Sequence, residues 1–279
     1  MPFLRLDGNP LDAAIVDLGR SGVVILHCKH NVLKIPKVYR DPNATPDEAE
    51  IEEILAEQNY EFLENEKRVY QRLGHHDGVV SWVNLSEDGI EMAYMKKGPL
   101  SRYLQTETPP DRLVAQWIPA LAKTISYAHS RNVIIGDIAS RNVLLGDDMS
   151  VKLCDFTDSA LMPPDSDMSQ AEDNGASIKT DMFQFGSLAY EMLTRKPFKY
   201  DSFARGVENQ GESNRGGDWE PGDEWPPAEC LPSTQHLVFG QIIFKCWTNG
   251  YQNMEEVCGA VEQALNVLSE SGRKTHKKT

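Results

Sequence analysis

Three polar residues, Asp137, Asn142 and Asp155, bracket a short apolar stretch, and their types and spacing suit one kind of chemistry. Between them, Val143 to Leu145 and Val151 to Leu153 flank Gly146-Asp147-Asp148, a pattern that predicts a hairpin. A hairpin fixes the distance between Asn142 and Asp155. One carboxylate and one amide oxygen are enough protein ligand for a hard divalent cation that keeps water and shares phosphate oxygens. Asp137 then stands ready to accept a hydrogen bond from an attacking hydroxyl. Phosphoryl transfer needs little more from a protein than charge neutralisation, alignment and that acceptor. Each Asp alone reads as an ordinary turn or strand-end acid; only the joint spacing favours a site.

Ile135-Gly136-Asp137, Arg141-Asn142 and Asp155-Phe156-Thr157 together resemble the catalytic and metal loops of the eukaryotic protein kinase superfamily. The resemblance implies magnesium at Asn142 and Asp155, with Asp137 and Arg141 as catalytic residues. Val16 to Val24 resembles a glycine-rich phosphate loop, in which Gly19 and Gly22 let backbone N–H groups approach phosphate; Asp17 stands where the first glycine is expected. Asn31-Val32-Leu33-Lys34-Ile35 reads as a strand whose Lys34 would hold the ATP phosphates, although a lone strand lysine can also be a surface residue. A carboxylate partner is available on the next element. Thr45-Pro46-Asp47-Glu48 is a capping box with proline at the first helical position, predicting a helix that runs, with a break near Asn59, to Leu73. Glu66 shares a stripe with Val69, Tyr70 and Leu73 and matches the glutamate that pairs with the kinase lysine; Glu61 and Glu64 are the solvated alternatives.

Ile90 to Leu100 resembles the strand and hinge between kinase lobes. Met92 would guard the back of the pocket, the backbone of Ala93, Tyr94 and Met95 would bind adenine, and Val24, Val32 and Leu144 would enclose the base. Each of these also reads as plain core, and only their joint placement argues for a pocket. Downstream, Leu113, Trp117, Leu121, Ile125 and Ala128 predict an amphipathic helix kinked at Pro119. Thr180 to Leu193, with Thr180 as its cap, predicts a buried helix whose Asp181 would brace the catalytic loop. A late helix over Phe239 to Trp247 and a final one capped by Asn253 and carrying Val257, Val261, Leu265 and Leu268 complete the pattern.

The departures are specific. Ile135-Gly136 stands where most kinases have His-Arg, so no arginine is available there for a phosphorylated activation segment. Thr157 replaces a glycine, which predicts a stiffer metal loop. No Ala-Pro-Glu is present, Ala171-Glu172-Asp173 being a faint substitute, and its arginine partner is missing from Thr248-Asn249-Gly250-Tyr251. Two partners lost together predict an alternative local structure. The segment 157–180 carries Asp158, Asp165, Asp167, Glu172 and Asp173 against Lys179, so activity is expected not to depend on phosphorylation at Ser159, Ser166, Ser169 or Ser177. The compact chain and Lys245-Cys246-Trp247 resemble small, divergent fungal protein-kinase-like proteins.

The resemblance implies an α+β, bilobal protein-kinase-like fold with a small β-rich N-lobe and a mainly helical C-lobe. It covers residues 11–268 (N-lobe about 11–95, C-lobe about 96–268), with 269–279 as a basic tail. The tail reads as a solvated end, or alternatively as a localisation signal. A chain of 279 residues with 40% hydrophobic content can build one such core. Its net charge of -14 disfavours nucleic acid as a partner. No run is long and apolar enough for a membrane span and no signal pattern opens the chain, so a monomer in the cytoplasm or nucleus is expected. Five scattered cysteines read as reduced thiols; Cys154 is either a modifiable thiol or a small buried hydrophobe. Residues 200–233 read as a long loop whose Trp219 and Trp225 anchor it or contact a partner.

The implied activity is ATP- and magnesium-dependent transfer to protein hydroxyls, Ser or Thr ahead of Tyr. The alternatives are a pseudokinase scaffold and a small-molecule phosphotransferase of the aminoglycoside type, whose loop Ile-Gly-Asp followed by Asn also resembles.

Overall fold

The computed structural model describes residues 3–4, 8–198, 226 and 228–276, so Trp219, Trp225, most of the predicted 200–233 loop and residues 277–279 lie outside the described residues. Strands β1 (Phe3–Leu4), β2 (Ile15–Leu18), β3 (Gly22–Leu26), β4 (Asn31–Pro36) and β5 (Val38–Tyr39) precede helix α1 (Pro46–Leu73), and β6 (Trp82–Leu85) and β7 (Ile90–Ala93) follow it. Five of them form an antiparallel sheet in the order β2-β3-β4-β7-β6. Side chains alternate across a strand. Val23, Ile25, Leu33 and Ile35 therefore pack on one face with Phe3, Leu11 and Ala13. Val24 lies opposite Lys34 in register, which sends Val24, Val32 and Lys34 to the other face.

Thr45 and Glu48 close the predicted capping box at the start of α1. The helix then runs unbroken for 28 residues, and no break occurs at Asn59. Asn59 is accommodated because its side-chain Nδ2 donates to the Lys37 carbonyl at 2.9 Å, leaving the helical ladder intact. The last turns bury Leu63, Glu66, Val69, Tyr70 and Leu73 against the core.

The rest of the chain is mainly helical: α2 (Leu100–Thr106), α3 (Asp111–Ser130), short strands β8 (Val133–Ile134), β9 (Val143–Leu145), β10 (Val151–Leu153), β11 (Ala160–Leu161), β12 (Glu172–Asp173) and β13 (Ala176–Ser177), then α4 (Ile178–Thr194), α5 (Gly240–Trp247) and α6 (Met254–His276). Pro119 sits inside α3. The N-cap of helix α4 lies three residues earlier than predicted, because Ser177 is the cap and Thr180 supplies the reciprocal bond of the box. It is buried along Met182, Phe183, Phe185, Leu188, Ala189 and Met192. At Gly186 a Cβ would fall 2.9 Å from the Cys246 Cβ, so glycine sets the close crossing of α4 and α5. Asn253 Oδ1 accepts from the Glu256 amide at 3.0 Å and caps α6 as expected. No helix among the described residues is long and apolar enough to cross a membrane.

Candidate active site

Between the sheet and the helices, Lys34 reaches from the cleft face of β4 and meets two carboxylates. Its Nζ lies 2.6 Å from Glu66 Oε2 and 2.8 Å from Asp155 Oδ1. Glu66 is fully buried on α1, and its second oxygen accepts from the Phe156 amide at 3.3 Å. Glu61 and Glu64 are not the partners: Glu64 pairs instead with Lys67, itself buried, one turn along α1. Burial works against the Lys34 ammonium, yet Glu66 and Asp155 outweigh it and hold its pKa above the usual lysine range. Burial likewise opposes charge on Asp155, but Lys34 and Thr157 hold its carboxyl below the ordinary carboxylate value. One cation against two carboxylates leaves this cluster with a net charge of about -1. Phe156 is fully buried beneath it, edge-on to Tyr70 with ring centroids 5.1 Å apart.

Asp137 and Asn142 stand on the loop between β8 and β9. Asn142 Nδ2 donates to the Asp137 carbonyl at 3.0 Å and to its Oδ2 at 2.7 Å. That orientation turns the Asn142 Oδ1 away, where no hydrogen bond engages it among the described residues. Arg141, largely exposed, places its guanidinium on both Asp137 oxygens at 2.5 and 2.7 Å. The predicted hairpin forms with Val143 opposite Leu153 and Leu145 opposite Val151, and it carries Asn142 and Asp155 at adjacent ends. The loop backbone is held from below by α4: Asp181 accepts from the amides of Ile135 and Gly136 at 2.8 Å each, and from His129 Nε2 at 2.8 Å.

Gly19 and Gly22 close the turn between β2 and β3, the Gly19 amide donating to the Gly22 carbonyl at 2.9 Å. A Cβ at Gly22 would fall 2.9 Å from the Lys34 Cε and 3.3 Å from the Ile35 carbonyl oxygen, so a side chain here would press on the lysine. Val32 and Met92 are buried and face each other across β4 and β7, with Val24, Tyr94, Met95 and Leu144 packed on the same apolar cluster. Two of the three predicted hinge amides are already engaged, Ala93 by the Ser81 carbonyl and Tyr94 by that of His30. The Met95 amide has no partner among the described residues. Cys154 donates its thiol to the Asn142 carbonyl, and burial pushes its pKa well up, which makes it an inert packing group.

A family-wide sequence model described as protein tyrosine and serine/threonine kinase matches residues 50–213, more than half of the chain. The chain belongs to the protein kinase family. Among curated relatives, the mitogen-activated protein kinase kinase kinase dlk-1 of Caenorhabditis elegans is 32% identical over 121 residues, covering 38% of this chain and 13% of that protein. The serine/threonine/tyrosine-protein kinase HT1 of Arabidopsis thaliana is 28% identical over 177 residues, 56% of this chain and 41% of its own length. Guanylyl cyclase C of Cavia porcellus is 29% identical over 119 residues, 38% of this chain and 11% of the cyclase. The matched part thus spans less than half the length of each of these relatives.

This chain departs from the family pattern in ways that geometry explains. Gly136 has φ +80, and a Cβ there would fall 2.3 Å from the Asp158 carbonyl oxygen, so an arginine cannot simply be restored. Instead of an Ala-Pro-Glu helix, the activation segment ends in the β12-β13 hairpin, which turns through Asn174 and Gly175, both at positive φ, and feeds directly into α4. Glu172 and Asp173 are exposed on it and act as no buried partner.

Several supporting residues escaped the sequence pattern. Gln184 accepts from the Ile138 amide at 2.8 Å and donates to the Gly136 carbonyl at 2.7 Å; its spacing of three from Asp181 places both on one face of α4. Ser159 donates its buried hydroxyl to the Ile135 carbonyl at 2.7 Å, and Asn65 on α1 donates to the Ser159 carbonyl at 2.8 Å. Arg20, at the tip of the glycine turn, pairs with Asp158 and lies over the Phe62 ring. No local signal announces a contact between residues so far apart in the chain.

Proposed function

We propose that the protein transfers the γ-phosphoryl group of ATP to Ser or Thr hydroxyls of protein substrates, within a unit spanning residues 11–268. The observation that carries this reading is the Lys34, Glu66 and Asp155 cluster set beside an Asp137 and Asn142 pair, with Phe156 buried beneath. Lys34 would hold the ATP phosphates, oriented by Glu66, and the base would lie among Val24, Val32 and Leu144, reading the Met95 amide. Asp137 would accept a hydrogen bond from the substrate hydroxyl and take its proton as transfer proceeds, while Arg141 limits charge build-up beside it.

The residues present fit magnesium. Asn142 Oδ1 and Asp155 Oδ2 are hard oxygen donors that no hydrogen bond engages among the described residues, and the cluster around Lys34 has a surplus negative charge. Among the described residues no group of three or more His, Cys, Asp or Glu could hold a metal, so a cation here would share phosphate oxygens and water. When bound, magnesium neutralises the charge that develops on the phosphates.

A pseudokinase scaffold is the second reading, favoured by the hairpin that replaces the usual end of the activation segment. Purified protein incubated with γ-labelled ATP, magnesium and generic protein substrates separates the two. Label transfer that Asp137→Asn abolishes supports the enzyme; binding of ATP without transfer to any substrate supports the scaffold.

A further inference from the structure

Position 157 is a glycine in the kinase pattern and carries no side chain there; in this chain it places a hydroxyl in the middle of the charged cluster. Thr157 is 8% exposed. Its Oγ1 lies 2.6 Å from Asp155 Oδ1, 3.3 Å from Lys34 Nζ and 3.3 Å from Glu66 Oε2. A hydroxyl has one proton and two lone pairs. The proton is committed to the nearer carboxylate, Asp155, and a lone pair accepts from Lys34. Glu66 keeps its own donors, Lys34 and the Phe156 amide.

Asp155 itself holds a left-handed backbone, φ 59, which a non-glycine residue keeps only when its surroundings over-determine it. The hydroxyl of Thr157 and its amide, 3.4 Å away, both close back on Asp155 Oδ1. With Lys34 on the same oxygen, the carboxylate has one oxygen held by three donors and the other, Oδ2, left open. We propose that Thr157 is a positioning residue: its hydroxyl fixes the Asp155 carboxylate so that Oδ2 is presented to the divalent cation of the nucleotide, and it offers Lys34 an acceptor beside that carboxylate. This rests on the reading of Asp155 as a metal ligand. The β-branched side chain contributes by holding χ1 in few rotamers, so the hydroxyl is set before the ligand arrives.

Titration of magnesium at fixed ATP, followed by nucleotide binding to the full chain, tests the role without relying on turnover. Thr157→Val keeps the shape and removes the hydroxyl, Thr157→Ala is a second hydroxyl-free variant, and Thr157→Ser keeps the oxygen. Val and Ala should each raise the magnesium midpoint about tenfold, the scale of one hydrogen bond to a charged group. Metal-free ATP affinity should stay within about twofold and Ser within about threefold of wild type. A magnesium midpoint unchanged in Val and Ala would overturn the proposal, as would equal losses with and without metal, which would mark a purely structural role. A wild-type protein whose ATP binding ignores magnesium would instead remove the Asp155 ligand reading, and this proposal with it.

Discussion

Replacing Asp181 tests the support beneath the catalytic loop, because this fully buried carboxylate serves three donors at once. Asp181→Ala leaves the Ile135 and Gly136 amides and the His129 ring nitrogen without an acceptor. An orphaned buried donor costs about 1–3 kcal/mol, and removing one partner of a buried charged network costs about 3–5 kcal/mol, so a loss of about 4 kcal/mol is expected. Asp181→Asn keeps the shape and one acceptor. Its oxygen can face Ile135 and His129, which share Oδ2 in the wild type, but its NH₂ then meets the Gly136 amide donor to donor, a loss of about 1–3 kcal/mol. The total stability of such a domain is roughly 5–15 kcal/mol, so both effects are readable. Urea unfolding followed by tryptophan fluorescence suits the purpose, since Trp117 and Trp247 are buried in the helical region. With a slope of about 3 kcal/mol/M, the Ala variant should unfold more than about 1 M earlier than wild type, and Asn between the two. Equal midpoints for Ala and Asn, or a loss below about 1 kcal/mol in Ala, would refute the reasoning that these three donors depend on Asp181.

Gly136→Ala should lower the melting temperature, because the left-handed backbone alone costs about 1–2 kcal/mol for an L-residue and the Cβ meets the Asp158 carbonyl; an unchanged melting curve would mean that the loop relaxes. Phosphatase treatment and Ser166→Ala or Ser169→Ala should leave phosphotransfer unchanged, and a several-fold loss would reveal another cation in the missing arginine's role. Ser159→Ala and Ser177→Ala, in contrast, should reduce stability by about 1 kcal/mol each, since the structure uses these hydroxyls on the Ile135 carbonyl and as the α4 cap. Asp155 has a folded pKa below its ordinary 3.8, so its contribution to stability is present above that value and fades as pH falls through the folded value; thermal melts across acidic pH should show a shallower profile in Asp155→Asn. Lys34 has a folded pKa above its ordinary 10.5, so its contribution is complete below 10.5 and lost as pH rises through the folded value, a loss that Lys34→Met should not show.

Much of the site was legible in the sequence because its geometry is local or set by regular spacing. The hairpin from Asn142 to Asp155, the capping box at Thr45 and the stripe through Glu66 each follow from patterns a few residues long. The three-residue error at α4 arose because Ser177 and Thr180 both carry cap-type hydroxyls, and a capping box uses them together. The break expected at Asn59 failed because a tertiary contact to Lys37 overrode local preference. Asp173-Asn174-Gly175 has a hairpin signal of its own, masked by the expectation of an Ala-Pro-Glu motif at that place. The Arg20 to Asp158 pair, the Thr157 hydroxyl's three contacts and the positive φ of Gly136 depend on segments brought together only by folding.

The measurement that bears most directly on the central claim is phosphotransfer by purified wild-type protein beside Asp137→Asn, with ATP and magnesium and with ATP binding followed in parallel. Wild type should label protein Ser or Thr only when magnesium is present, while Asp137→Asn binds ATP with nearly unchanged affinity and transfers roughly 10²–10⁴-fold more slowly. Wild-type protein that binds ATP with magnesium yet labels no substrate, or an Asp137→Asn variant as fast as wild type, would contradict the account.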